Sequence, residues 1–140
     1  MRRLALHFCP LLLIGCSDAG DGSHLAQRGP AGENWVGSQW HFATIDGRAP
    51  EDAGAQVAFE NEHIRVQVGC NQLKGPWRLE TGRLIAGPFD QTEAICPSSS
   101  WEQGNAVSAL LAATPRVMVE GKRMILQSSG HTAELTRAAD

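Results

Sequence analysis

HIRVQVGCNQLKGPWRL, residues 63–79, is the stretch that decides the fold. Ile64, Val66 and Val68 alternate strictly with polar residues, the period of a strand that buries one face. Gly69-Cys70-Asn71 breaks the alternation, and Gly75, Trp77 and Leu79 resume it. Just upstream, Val57 and Phe59 alternate before Asn61-Glu62, so this region reads as a hairpin. An earlier strand carries Trp40, Phe42 and Ile45 and ends at Asp46-Gly47, a turn signal. Downstream, Glu80-Thr81-Gly82 turns the chain into a short strand at Leu84 and Ile85, which ends near Gly87-Pro88.

The period then changes. Pro97-Ser98-Ser99-Ser100-Trp101-Glu102 contains a Ser-x-x-Glu capping box, Ser99 to Glu102, which predicts the start of a helix. Ala106, Val107, Leu110 and Leu111 form its apolar stripe, and Pro115 ends it. Gly104 weakens such a helix by about 1 kcal/mol relative to alanine. Three strands close the chain, at Val117 and Val119, Met124 and Leu126, and Ala133 and Leu135, joined at Gly121-Lys122 and Ser129-Gly130. The predicted class is α+β, a small curved, barrel-like, mostly antiparallel sheet with one packed helix. Trp40, Trp77 and Trp101 are expected in the core or at its rim, and Trp35 at the linker border is expected to be more exposed than those three.

The amino terminus is an address. Arg2 and Arg3 precede a largely apolar run from Leu4 to Ile14, which is too short to span a bilayer. Leu13-Ile14-Gly15-Cys16 resembles the lipobox of a bacterial lipoprotein signal. The resemblance implies that residues 1–15 are removed and that Cys16 is lipidated, anchoring the chain without spanning the membrane. Ser17 after the anchor, rather than Asp, points to the outer membrane, facing the periplasm. Residues 16–35 then read as a lipidated cysteine and Gly-rich linker, whose 18 residues from Ser17 to Asn34 reach on the order of 23 Å. Twelve Lys and Arg, less Arg2 and Arg3, against fifteen Asp and Glu leave a mature net charge of −5. No basic run survives, so the chain lacks the electrostatic footprint of a nucleic-acid binder.

Cys70 and Cys96 are the one cysteine pair beyond the anchor. An oxidising envelope favours a disulfide, and closing about 27 residues would stabilise the fold by roughly 3.5 kcal/mol. Two free structural thiols are the bland alternative. A cysteine nucleophile would need a base from His41, His63 or His131, and a metal site would need close-spaced ligands that Cys70 lacks. Glu93 and Glu102 form a carboxylate pair only if the fold brings them face to face. No metal or cofactor is expected.

Trp40, Asp46-Gly47 and Gly69-Cys70-Asn71 with Gly75 resemble the first half of a META domain. Thr92, Cys96, Pro97, Glu102 and VMVEGKRMILQ resemble its second half, so that residues 36–138 are similar to the HslJ-like family. Two departures stand in this chain, Leu73 in place of an aromatic residue and Gly104 in place of an acidic one. The resemblance implies a barrel-like sheet with one helix, no enzymatic activity, and links to stress response. Gly69 and Gly75 are expected to permit positive φ, Asn71 to tolerate a left-handed turn, and Cys70 to pin its loop to Cys96. The other reading of that motif is a ligand loop using the Asn71 amide. The expected function is a monomeric, non-enzymatic envelope lipoprotein that binds or stabilises another envelope protein. The alternatives are a carrier of a small apolar ligand or lipid inside the barrel, and last a hydrolase.

Overall fold

The computed structural model describes Gly29 and residues 34–92 and 94–139. The leader, Cys16 and Glu93 lie outside the described residues. The strands are β1 (Ser38–Ile45), β2 (Gln56–Phe59), β3 (His63–Val68), β4 (Asn71–Glu80), β5 (Arg83–Ala86) and β6 (Asp90–Gln91). Helix α1 (Ser98–Ala112) follows, and then β7 (Arg116–Glu120), β8 (Arg123–Ser128) and β9 (His131–Arg137).

The strands pair in the order β3-β2-β1-β9-β8-β7-β5-β4, and β4 pairs back onto β3. The sheet therefore closes into an eight-stranded antiparallel barrel, with β6 outside the ring beside β4. Closure follows from alternation, since β2, β3 and β4 bury every second residue and β1 does so up to the irregularity between Phe42 and Thr44. A sheet with one apolar face removes both its edges and that face from water by curling on itself. The ring is narrowest in pairing between β5 and β7, where Arg83 faces Arg116. Turns at Asp46-Gly47, Thr81-Gly82 and Ser129-Gly130 place both residues at positive φ, the pattern of two-residue hairpins.

The interior is filled. Trp35, Trp40, Phe59, Ile64, Leu73, Leu84, Met124, Leu126 and Leu135 are all buried, and Val107, Leu110 and Leu111 of α1 join the same cluster. Trp35 corrects the expectation of greater exposure, because its side chain is fully buried. Its ring lies 5.1 Å from that of Phe59 and 6.3 Å from that of Trp40, so it packs on the buried side chains of β1 and β2. Its carbonyl accepts the Ser38 N–H at 2.9 Å and the Ser38 hydroxyl at 2.6 Å, which holds the turn leading into β1. Trp101 is the opposite correction, being 56 % exposed on the outward side of α1.

Helix α1 begins at Ser98 without the expected capping box. Pro97 occupies the cap position and offers no side-chain acceptor, so Ser99 sits within the first turn. The helix closes one mouth of the barrel. Gln103 donates to the Ala49 carbonyl at 2.9 Å and accepts the Glu51 N–H at 2.8 Å, holding the β1–β2 connection. The Ser128 hydroxyl at the β8–β9 turn donates to the Leu110 carbonyl at 2.6 Å. The chain enters the barrel at the other mouth, where Gly37 N–H donates to the Phe59 carbonyl and the Trp77 indole to that of Glu60.

Candidate functional site: a pinned loop at the helix mouth

The β3–β4 turn is only two residues long, because Val68 and Asn71 are already ladder partners. Gly69 takes φ +60° there, and a Cβ on it would overlap the Ser100 carbonyl of α1. The turn thus touches the start of the helix, and only glycine allows the approach. Cys70 beside it is exposed and stands at disulfide distance from Cys96, with Cα atoms 5.8 Å apart.

Asn71 and Thr92 complete the junction. Thr92 N–H donates to the Gln72 carbonyl at 3.1 Å, and its hydroxyl accepts the Gln72 N–H at 2.9 Å. The Asn71 side-chain oxygen accepts the Ala94 N–H at 3.4 Å. Asn71 is therefore the first residue of a strand rather than a left-handed turn residue, and its amide is used within the chain. Gly75 also serves differently from expectation. It lies inside β4, and its role is to let the Pro88 carbonyl and the Phe89 ring come close, since a Cβ there would strike both. Gly69, Cys70, Asn71, Thr92 and Cys96 converge at one point, and Gly75 supports the segment that leads to it.

Two large apolar side chains stand out from this junction. Ile95, next to Cys96, is fully exposed, and Trp101 projects from the first turns of α1. Trp101 N–H donates to the Pro97 carbonyl at 3.0 Å, so it belongs to the helix while its indole faces water. Helical spacing does set Trp101 opposite the Ala106, Val107, Leu110 and Leu111 stripe, whereas no periodicity bears on Ile95. Single exposed apolar side chains are common on protein surfaces, and what sets these two apart is that both flank the Cys70–Cys96 junction.

A second feature borders the same mouth, a shallow cleft of about 120 Å³ lined by Ile45, Asp46, Arg48, Glu51, Glu102 and Gln103. Asp46 is already committed, accepting the Thr132 N–H at 2.9 Å and contacting His131 Nδ1 at 2.8 Å. Burial opposes its charge, but the Thr132 hydrogen bond and the hydrogen bond and charge of His131 outweigh it, holding the carboxyl below its ordinary value. Thus one of the three histidines read from the sequence acts as a staple between two turns. His41 and His63 lie on β1 and β3. Among the described residues, no group of three or more His, Cys, Asp or Glu side chains is placed to hold a metal ion.

Comparison with known proteins agrees with this geometry. A search of curated proteins returns no match. A protein from Burkholderia xenovorans, solved by NMR, superposes with a TM-score of 0.62 at 22 % identity, covering 76 % of this chain and 85 % of its own. A second NMR structure gives 0.64 at 18 % identity, covering 71 % and 88 %. At these identities the likeness is one of fold. The family model of the META domain matches residues 33–140, most of the chain and all of its barrel. The chain belongs to the META domain family.

Proposed function

We propose that the protein is a lipid-anchored envelope lipoprotein whose META domain is a binding module for another envelope protein. The observation that carries the reading is the placement of Ile95 and Trp101 at the helix mouth, with the chain entering through Trp35 at the other mouth. A tether running from Cys16 to that entry would present the Ile95 and Trp101 surface away from the anchor. The partner is a protein that offers an apolar pocket at its surface, where an aromatic anchor such as Trp101 gains most from being desolvated. The stress-linked roles implied by the family resemblance fit a module that stabilises its partner. The carrier alternative finds less support, because Trp35, Trp40, Phe59 and Leu135 occupy the barrel interior.

The test is a double variant, Ile95→Asp with Trp101→Asp, compared with the wild type for co-purification of the same partner from the envelope. Both sites are on the surface, so the variant should fold and lose the partner. Equal recovery of that partner by the folded variant would overturn the reading.

A further inference from the structure

We propose that the Cys70–Cys96 disulfide is a thiol-exchange site, opened by an external dithiol through attack on Cys70 with Cys96 as the leaving group. The bond joins surface segments rather than core elements, and Cys70 is exposed whereas Cys96 is half-buried. Exposed disulfides are the ones open to exchange, and the accessible sulfur receives the attack.

The two sulfurs also differ in where negative charge is tolerated. Cys96 immediately precedes Pro97, the cap of a 15-residue helix with no side-chain cap and no acidic residue in its first turn. Among the described residues no first-turn acid or side-chain cap offsets the positive end of α1, which favours a thiolate at Cys96. The incoming thiolate bonds to Cys70 Sγ, the Cys70–Cys96 bond breaks, and its electron pair departs with Cys96 Sγ. The second thiol of the dithiol then attacks the mixed disulfide. This step frees Cys70 as a thiol and leaves the dithiol oxidised.

The barrel has no need of the bond to stay closed. Val68 and Asn71 remain paired in the β3–β4 ladder, and Gln103 and Ser128 still hold α1. What loosens is the stretch from Ala94 to Cys96, next to which the Asn71 side chain accepts the Ala94 N–H at 3.4 Å. That segment carries Ile95, but the exchange chemistry stands whether or not a partner docks there.

The experiment treats the oxidised mature protein with glutathione, quenches it with acid, alkylates it and maps the adducts by mass spectrometry. Glutathione should be found on Cys70 and the alkyl group on Cys96, with the far-ultraviolet spectrum unchanged. A carboxylate in the first turn, Ser99→Glu, should slow adduct formation about two- to fivefold by opposing the leaving thiolate. Glutathione on Cys96 would overturn the proposal. So would an unreactive folded protein under conditions that convert the denatured one, or a Ser99→Glu rate equal to that of the wild type.

Discussion

Gly69 is part of the β3–β4 turn and Gly104 lies against it, and substitution should move stability in opposite directions. Alanine at Gly69 would have to adopt φ +60° and displace the Ser100 carbonyl, at a cost on the order of 2 kcal/mol. At Gly104 the nearest atoms, the Asn71 side-chain nitrogen and the Val68 carbonyl oxygen, are 3.9 Å from a new Cβ. Gly104→Ala should therefore stabilise the protein by about 1 kcal/mol, by helix propensity. Chemical denaturation of both variants checks this. Asp46 gives a prediction in pH. Its carboxyl is held below the ordinary value, so its contribution is full above that value and is lost as pH falls through the lower, folded one. Asp46→Asn should flatten the acid limb of the melting temperature, and an unchanged limb would show that the staple contributes nothing. The sequence could mark Gly69 and Asn71 as special, but not what approaches them. That depends on α1 and the 90–97 segment, which are distant in sequence from the turn.

At the level of elements, the hairpins were legible because the side-chain period of two and the paired turn residues both act locally. Asp46-Gly47, Thr81-Gly82 and Ser129-Gly130 each predicted a turn, and each is one. The helix onset was not legible, since Ser98, Ser99 and Ser100 all offer capping chemistry and only the position of Pro97 decides among them. Strand β6 was missed because Asp90 and Gln91 are both exposed and carry no periodicity. The two tryptophan corrections have separate causes. Composition around Trp35 reads as linker, yet an open barrel mouth needs a large apolar side chain to fill it. Trp101 sits among helical apolar residues but on the wrong side of the axis. Replacing Cys70 and Cys96 together by alanine should lower stability by about 3.5 kcal/mol while leaving the barrel's circular dichroism intact. A melting temperature equal to that of the wild type in oxidising buffer would remove the bridge from the account.

The molecule as a whole is a plugged barrel with two different ends. One mouth takes in the chain through Trp35, and the other carries α1, the Cys70–Cys96 junction, Ile95 and Trp101. If the anchor proposed at Cys16 is correct, Cys16→Ser should release the protein into the soluble periplasmic fraction, and retention on membranes after high-salt washing would place the anchor elsewhere. The central claim is that the helix mouth is the working end. Its most direct test is photo-crosslinking in intact envelopes, with a photoreactive residue placed in turn at Ile95, Trp101 and the outward-facing Arg65 of β3. The account predicts one and the same protein captured from positions 95 and 101 and not from 65. Equal capture from all three positions, or capture from 65 alone, would contradict it.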